Sequence, residues 1–321
     1  MMLHRESSYC KPIAMTRILQ QIGGDFVKRA CLRARMAACA VLVVSCASDT
    51  ESDRLADSLG AAVPPTDSIV DLSAVFAGAA PMDATFLLVR ASTGERILHN
   101  AESAGERFRP ASTFKIANSI IALETGVATG PDFFLPWDSL AAPTTRRVWA
   151  RDQTMETAFR NSVYWYYQEL ARRIGEDRMR EWLGRLEYGN QSTGGGIDRF
   201  WLAGDLRISP EEQVRFLRKL VGGELPISPG TRATVIDLMK QRDTTAYRLY
   251  GKTGTSDVTP TRENGWIVGW VETAMDTLYY ALNMEGESVW EDWPPYRRVE
   301  LVERIMARLE GWVRRSNAAR P

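Results

Sequence analysis

The chain has 321 residues, is 45% hydrophobic and contains ten each of Trp, Tyr and Phe, which is enough to bury a large core in one big domain or two small ones. Its 40 basic and 40 acidic side chains give a net charge of zero, which argues against a nucleic-acid partner, since such a partner needs a basic face. The two histidines, His4 and His99, provide poorly for histidine-based catalysis or a zinc site, and we expect no metal.

The amino-terminal 46 residues differ from the rest of the chain. All four cysteines lie there: Cys10, Cys31, Cys39 and Cys46. The remaining residues therefore offer neither a disulfide nor a thiolate metal site. A basic stretch from Lys28 to Arg35 precedes a short apolar run, Met36 to Ser45, which predicts a secretory signal over residues 1–46. That run is too short to span a bilayer comfortably.

The apolar run ends in VVSC, from Val43 to Cys46, which resembles the cleavage site of bacterial lipoproteins. The resemblance implies cleavage before Cys46, a lipid on its thiol, and an exported protein that is periplasmic or anchored to a membrane. The alternative is an ordinary cleaved signal with a chance cysteine. Residues 47–68 are polar and small and include a Pro-Pro pair, which predicts a tether of low order.

The first folded elements are predicted from residue 69 onward. Ile69 to Gly78 carries its apolar residues on one side, which predicts a short helix. Ala84 to Arg90 and Glu95 to His99 are short apolar runs around a glycine-containing turn, which predicts a β-hairpin. His99 falls at the end of the second strand, where we expect an exposed side chain rather than a catalytic one.

Helical patterns fill the middle of the chain. One runs from Ser112 to Thr125, and residues 162–186 carry two amphipathic patterns that break near Gly175. A further helix is predicted after Ser209, which is spaced to form a capping box with Glu212.

Three strand-like runs, at 247–256, 265–272 and 277–284, and a helical pattern from Val299 to Val313 close the chain. Strands at both ends with helices between them predict an α+β fold: an antiparallel sheet built from N- and C-terminal strands, with helices on its faces and a helical inset. We expect residues 69–315 to form one domain.

The stretch RPASTFKIANS raises the first chemical question, because it places Ser112 three residues before Lys115. On a helix these two side chains project from the same face. Pro110 suits a helix start, where free N–H groups favour developing negative charge. A serine hydroxyl becomes a nucleophile when a base takes its proton, and a lysine is a base only when it is neutral, as burial favours. A capped helix with a solvated lysine is the alternative.

Two more segments carry polar groups suited to a binding site. In GKTGTS, Lys252 supplies a positive charge, Thr253 a hydroxyl, and Gly254 bare backbone against which a ligand can lie. Ser162 is placed either to cap the following helix or to relay a proton. Each segment also has a plain interpretation, as a polar strand end and as a helix cap.

Taken together, six motifs resemble, in order and spacing, the class D, oxacillinase-type serine β-lactamases of the penicillin-binding and transpeptidase-like superfamily. The resemblance runs from about Asp71 to Met306. Ser-x-x-Lys and Lys-Thr-Gly also occur in the related class A enzymes and penicillin-binding proteins, whereas the class A Ser-Asp-Asn motif is absent. The six motifs span Pro110–Lys115, Ser162–Tyr164, Tyr188–Asn190, Phe200–Pro210, Gly251–Ser256 and Gly265–Trp270.

The resemblance implies hydrolysis of the β-lactam ring of penicillin-type antibiotics through an acyl ester on Ser112. It also implies that Lys115 carries a carbamate formed from carbon dioxide, which would act as general base for both acylation and deacylation. Trp201 matches the tryptophan that hydrogen-bonds this carbamate. No other cofactor is implied, and the partner is a small β-lactam molecule.

The remaining implied roles concern the proton path and the substrate. Ser162 would shuttle the proton toward the lactam nitrogen with Lys252 alongside, and the backbone N–H groups of Ser112 and Thr255 would form the oxyanion hole. Substrate contacts are implied for Thr253 and Gly254. Arg297 best fits the place of the arginine that grips the substrate carboxylate, with Arg298 as its rival. The pocket wall is assigned to Tyr188, Gly189 and Asn190.

One position departs from the family pattern. The second motif usually ends in valine beside the modified lysine, and here that position is Tyr164. We therefore place Tyr164 with Trp201 around the carbamate. The larger phenol leads to the hypothesis that it crowds the deacylating water.

A second function competes with hydrolysis. A penicillin-binding sensor or transpeptidase-like protein would use the same Ser112, Lys115 and Lys252, acylate, and deacylate slowly. A full sensor would carry several membrane segments, and Met36 to Ser45 is the one run that is apolar enough to consider.

Overall fold

The structure is a computed structural model that describes residues 67–77 and 82–318, with side chains as far as Leu309. The predicted signal segment, its lipid site at Cys46 and most of the predicted tether lie outside the described residues. Asp67 and Ser68, which the tether prediction included, belong to the first strand.

A seven-stranded sheet forms the centre of the domain, in the order β1-β3-β2-β9-β8-β7-β6. All neighbouring pairs are antiparallel except β1 with β3. The strands are β1 Asp67–Ile69, β2 Met82–Arg90, β3 Arg96–His99, β6 Lys240–Asp243, β7 Tyr247–Thr259, β8 Arg262–Thr273 and β9 Thr277–Gly286, and β4 Phe134–Leu135 pairs separately with β5 Gln153–Thr154. Because β2 pairs with β9 along its whole length, the predicted sheet of N- and C-terminal strands is confirmed.

Helices lie between the two sets of strands and after the last one. The α-helices are α1 Lys115–Glu124, α2 Met155–Arg160, α3 Tyr164–Ile174, α4 Glu176–Arg185, α5 Pro210–Gly222, α6 Pro229–Leu238, α7 Val289–Asp292 and α8 Pro295–Ala318. Short 3-10 turns occur at Ser73–Val75, Ala101–Gly105 and Ala111–Phe114. Among the described residues, none of the helices has both the length and the apolar character that a membrane crossing requires.

The predicted helix from Ile69 to Gly78 is wrong. Ile69 ends strand β1, and between Ile69 and Ala77, the last residue described before the gap, the helical part is the 3-10 turn at Ser73–Val75. The side chains of Leu72 and Val75 are nevertheless buried. The apolar pattern therefore marked the buried face correctly, but the segment is too short to sustain an α-helix against its pairing with β3.

Both faces of the sheet are covered, and strand β8 shows why. Trp266 and Trp270 belong to the core beneath the helical inset. Ile267 and Val271 belong to the opposite core, which the closing helix α8 covers. Because successive side chains of a strand point to opposite faces, a strand buried on both sides is apolar throughout.

Strand β7 carries the edge on which the site is built. Strand β6 pairs with β7 over Arg248–Tyr250, whereas β8 pairs with β7 from Tyr247 to Thr259. Beyond Tyr250 the outer edge of β7 meets the 3-10 turn Ala111–Phe114, so the turn and the strand face each other.

The predicted capping box of α5 is confirmed and gives a stability prediction. The Ser209 hydroxyl accepts from Glu212 N at 3.1 Å, and the Glu212 carboxylate accepts from Ser209 N at 2.9 Å. Ser209→Ala should lower the free energy of unfolding by about 1 kcal/mol in urea denaturation, because the N–H of Glu212 loses its acceptor. Ser139→Ala, at an exposed serine, is the control. Equal stability of the two variants would contradict the prediction.

Candidate active site

Ser112 lies in the tight 3-10 turn Ala111–Phe114, immediately before α1. We predicted it in the first turn of an α-helix; the α-helix instead begins at Lys115. Ala111 adopts a left-handed φ of 49°, which an alanine does not favour. The turn is fastened from outside, since Ala111 N donates to the carbonyl of Trp201 at 3.1 Å.

A buried chain of amides also holds this turn. The carbonyl of Arg109 accepts from Asn264 Nδ2 at 2.7 Å and from Trp266 Nε1 at 2.9 Å. Asn283 Nδ2 in turn donates to Asn264 Oδ1 at 2.5 Å. Strands β8 and β9 thus fix the backbone just ahead of Ser112. We did not predict this role for Asn264 or Asn283; two asparagines within apolar strands were the available signal.

Lys115 is placed to act on Ser112. Its Nζ lies 2.7 Å from Ser112 Oγ, and its side chain is fully buried. Burial, and next the positive charge of Lys252, hold the pKa of Lys115 well below its ordinary value. The ring of Tyr167 lies 5.4 Å from the amine. A neutral amine at this distance accepts the hydroxyl proton, so the predicted pairing of alcohol and base is present and the solvated-lysine alternative is wrong.

Ser162 and Lys252 form a second pair. Lys252 Nζ donates to Ser162 Oγ at 3.0 Å and to the carbonyl of Thr253 at 3.0 Å. Ser162 has a left-handed φ of 56°, and the residue that caps α3 is Val163, which makes no side-chain cap. The capping alternative for Ser162 is therefore wrong. Burial, and next the charge of Arg298, lower the pKa of Lys252 to about 7.

Gly254 lets strand β7 approach the Ser112 turn. A Cβ at this position would lie 2.9 Å from Pro110 O and 3.1 Å from Ser112 N. Such contacts leave no room for a side chain, so the strand backbone and the nucleophile backbone face each other directly. The next residue, Thr255, has a buried hydroxyl without a hydrogen-bond partner. The predicted oxyanion pair, Ser112 N and Thr255 N, therefore belongs to two segments in close contact.

The structure corrects the choice between the two arginines. Arg297 is exposed, with its guanidinium 5.1 Å from the ring of Trp293 and bonded to the carbonyl of Asp292 at 2.8 Å. Arg298 is fully buried and donates to Gly254 O at 2.6 Å. Its Nη2 is buried without a partner. Arg298, the rival in the sequence, is the arginine that reaches the site, because helical periodicity turns neighbouring side chains about 100° apart.

Trp201 lies against the nucleophile turn. Its carbonyl accepts from Ala111 N, and its ring centroid is 5.2 Å from that of Phe114. The indole Nε1 is buried and has no partner. A buried donor without a partner, on a ring that packs against Phe114 of the Ser112 turn, is an unsatisfied group that an acceptor in the site would pair.

Tyr164 is not supported as a partner of the lysine. Its ring makes an edge contact with Trp149 at 5.3 Å, and its hydroxyl donates to the carbonyl of Pro143 at 3.4 Å. Tyr167, one helical turn later, has the ring near Lys115 instead. The hypothesis that Tyr164 slows turnover stays a prediction without a contact to carry it.

The segment Tyr188–Asn190 packs against Phe114 of the Ser112 turn and bonds to the loop at Asp205 and Arg207. The ring of Tyr188 makes an edge contact with Phe114 at 5.6 Å. Asn190 Nδ2 donates to Asp205 O, and Asn190 Oδ1 accepts from Arg207 N, both at 2.9 Å. Gly189 would collide with the carbonyl of Arg207 if it carried a Cβ. These residues thus fix the loop that carries Trp201, while Asn190 itself is exposed.

Within the described residues, no group of three or more His, Cys, Asp or Glu side chains is arranged to hold a metal ion. Among the polar groups of the site are two serine hydroxyls, two buried lysine amines and one buried guanidinium, which remains charged at neutral pH: Ser112, Ser162, Lys115, Lys252 and Arg298. Such a site favours an anionic molecule with an electrophilic carbonyl.

Comparison with known families places this arrangement. A family profile described as the penicillin binding protein transpeptidase domain matches residues 84–307. The chain belongs to this family. The match covers the Ser112 turn, the Ser162 motif and strand β7, so the site lies wholly inside the family domain.

Two curated β-lactamases each match this chain over more than two thirds of their own length. The probable β-lactamase YbxI of Bacillus subtilis is 39% identical over 205 residues, 63% of this chain and 74% of the relative. β-Lactamase OXA-48 of Klebsiella pneumoniae is 41% identical over 190 residues, 58% of this chain and 69% of the relative. The class D resemblance is therefore confirmed.

A regulatory protein is also similar to this chain. The regulatory protein BlaR1 of Bacillus licheniformis is 36% identical over 202 residues, 63% of this chain but only 33% of BlaR1.

Solved structures agree in fold. A class D β-lactamase YbXI from Nostoc matches with a TM-score of 0.68 and 37% identity, covering 73% of this chain and 96% of that one. The C-terminal domain of the Bacillus licheniformis BlaR penicillin receptor matches with a TM-score of 0.71 and 31% identity, covering 77% and 97%.

The close approach at Gly254 gives a prediction. Gly254→Ala should slow covalent labelling of Ser112 by a fluorescent penicillin about 100-fold, because the added methyl group pushes β7 away from the turn by a fraction of an ångström or more. Gly130→Ala is the matched control, since a Cβ there meets nothing within 4 Å. Labelling at the wild-type rate in a folded Gly254→Ala protein would contradict the role of the strand.

Proposed function

We propose that this protein is a serine β-lactamase of the class D type, which opens the β-lactam ring through an acyl ester on Ser112. The observation that carries the proposal is the pair Ser112 and Lys115, with 2.7 Å between Oγ and Nζ and the lysine fully buried. A lysine in water is protonated and is not a base, whereas this one is held toward its neutral form by burial. The similarity to class D enzymes supports the same chemistry.

In the proposed acylation, Ser112 Oγ attacks the lactam carbonyl carbon while its proton passes to the base at Lys115. The carbonyl oxygen becomes negative and is stabilised by the N–H groups of Ser112 and Thr255. The C–N bond of the ring then breaks. Ser162, bonded to Lys252 Nζ at 3.0 Å, is placed to deliver a proton to the departing nitrogen.

The carboxylate that penicillins and cephalosporins carry would find its partners around Gly254 and Thr255 of strand β7. Arg298 Nη2 and Thr255 Oγ1 are both buried and unpaired. Burial lowers the pKa of Arg298 to about 10, and the guanidinium remains charged at neutral pH. Thr253, half-buried on the same strand, offers a further hydroxyl. A carboxylate at this point would satisfy polar groups that have no partner within the protein.

The base at Lys115 is proposed to be carboxylated by carbon dioxide. The residues fit such a group, because a neutral amine is the form that reacts with carbon dioxide, and Trp201, whose indole Nε1 is buried and unpaired, packs against Phe114, the residue before Lys115. When bound, the carbamate supplies a carboxylate-like acceptor for protons. Trp201 would then hold that acceptor by one hydrogen bond, and Tyr167 would exclude water from its side.

A sensor that acylates and deacylates slowly is the second candidate. It is favoured by the likeness to the BlaR penicillin receptor domain, which has the higher TM-score of the two structural matches described above. Both functions need the same acylation groups, and they differ in how fast water removes the acyl ester. We also propose export and a lipid on Cys46, supported by the sequence alone.

Mass spectrometry of the protein mixed with benzylpenicillin tests the proposal. We expect an adduct of the antibiotic's mass on Ser112 that forms within the mixing time and then decays as the ester is hydrolysed. Ser112→Ala should form none, whereas Ser139→Ala, an exposed serine, should behave as wild type. An adduct that persists would favour the sensor, and labelling of Ser112→Ala would place the nucleophile elsewhere.

Removal of bicarbonate tests the modification. At mildly acidic pH, stripping bicarbonate should lower the β-lactam hydrolysis rate, because a carbamate that has lost its carbon dioxide returns Lys115 to an amine. Re-addition should restore the rate. The incorporation of ¹³C-labelled bicarbonate, read as a carbamate carbon signal by NMR, is a second measurement. A rate indifferent to bicarbonate together with no such signal would leave a plain lysine base.

A further inference from the structure

The guanidinium of Arg146 lies over two tryptophan rings that come from different parts of the chain. It is 4.4 Å from the ring of Trp149 and 4.6 Å from the ring of Trp290. We call these three residues the Arg146 clamp. A guanidinium near an aromatic face is attracted by the ring's negative quadrupole, and arginine can stack flat against it. The clamp therefore connects the segment before β5 with helix α7, which lie far apart in the sequence.

One side of the clamp is anchored to the Ser162 motif. Trp149 Nε1 donates to the carbonyl of Asn161, and the carbonyl of Trp149 accepts from Trp165 Nε1, both at 2.9 Å. Its ring also contacts Tyr164. The residues on both sides of Ser162 thus hold Trp149, so the clamp begins at the wall of the site that carries Ser162.

The other side of the clamp is anchored beside the buried arginine of the site. Trp290 N donates to Glu263 Oε2 at 2.6 Å. Its neighbour Val289 packs against Gly265, where a Cβ would also lie 3.2 Å from Arg298 Nη2. Trp290 is therefore fixed close to Arg298, at the end of the site where the substrate carboxylate is proposed to bind.

The clamp consequently spans the two walls at the carboxylate end, with an exposed cation at its centre. In a cephalosporin, the ring carbon that carries the C3 substituent is bonded to the carbon that carries the carboxylate. A molecule whose carboxylate sits at Arg298 then directs its C3 substituent toward this end of the site. A positive charge on that substituent would meet the positive charge of Arg146.

We propose that the Arg146 clamp determines specificity, selecting against β-lactams with a bulky cationic group next to their carboxylate. The inference rests on the proposed acylation of Ser112. Arg146 acts here as a selecting residue at the carboxylate end of the site, and it takes no part in the bond-making steps at Ser112.

Two cephalosporins test the clamp, because they share a thienylacetyl side chain and differ at C3. Cephalothin carries a neutral acetoxymethyl group there, and cephaloridine a cationic pyridiniummethyl group. The second-order rate of ring opening is measured by absorbance with protein in excess, so that one turnover is observed whether or not the ester is later hydrolysed. Arg146→Ala should raise the ratio of the cephaloridine rate to the cephalothin rate about fivefold, as expected for removing one like-charge contact in water.

Two further variants make the result specific. Arg147→Ala removes the adjacent exposed arginine, which has no ring contact among the described residues, and should leave the ratio unchanged. Trp290→Ala keeps the charge of Arg146 but removes one of the two rings that hold it. This variant should also raise the ratio of the cephaloridine rate to the cephalothin rate, because the guanidinium is no longer fixed at the carboxylate end of the site.

The outcomes distinguish a failure of the clamp from a failure of the proposed function. An unchanged ratio in Arg146→Ala and Trp290→Ala would overturn the clamp while leaving the proposed function intact. An equal rise in Arg147→Ala would overturn it as well, since general surface charge would then explain the effect. A wild-type protein that opens neither compound would overturn the proposed function and the clamp together.

Discussion

The burial of lysine amines without carboxylate partners is the constraint on which the site depends. Lys115 is fully buried and Lys252 nearly so. Their amines form hydrogen bonds with the Ser112 and Ser162 hydroxyls and with the carbonyl of Thr253. Taking a charged amine out of water costs several kcal/mol, so the protein lowers the pKa of each lysine and holds Lys115 toward its neutral form. Desolvation in the packed core thus leaves an amine that is free to accept a proton at neutral pH, although its intrinsic basicity is lower.

The core also supplies the precision that this chemistry needs. The Ser112 turn contains a left-handed alanine, which would relax if it stood alone. It is held on three sides: by the Trp201 carbonyl, by the Asn264 and Trp266 donors to Arg109, and by the bare strand at Gly254. Sheet and helical inset therefore meet at the Ser112 turn, and the strain in the turn is balanced by hydrogen bonds that reach it from both.

The same acylation groups would suit a hydrolase and a sensor, and a β-lactamase and a regulatory protein both resemble this chain. Acylation requires a nucleophile, a base, an oxyanion site and an anchor for the carboxylate. The two functions diverge in the second half of the reaction, where water must reach the ester beside Lys115. Tyr164, the motif residue that departs from the family pattern, has its contacts with Trp149 and Pro143, whereas Tyr167 is the ring near Lys115.

The sequence by itself determined the α+β architecture, the capping box of α5 and the pairing of Ser112 with Lys115. These features depend on periodicity and short spacings, which local geometry fixes, or on motifs that the family shares. Which of Arg297 and Arg298 reaches the site was decided by the tertiary structure, because the start of α8 sets which direction each residue faces. The roles of Asn264, Asn283 and Tyr167, and the Arg146 clamp, likewise arise between segments far apart in the chain. Such contacts follow from how sheet, inset and loops pack together, and no local pattern in the sequence records that packing.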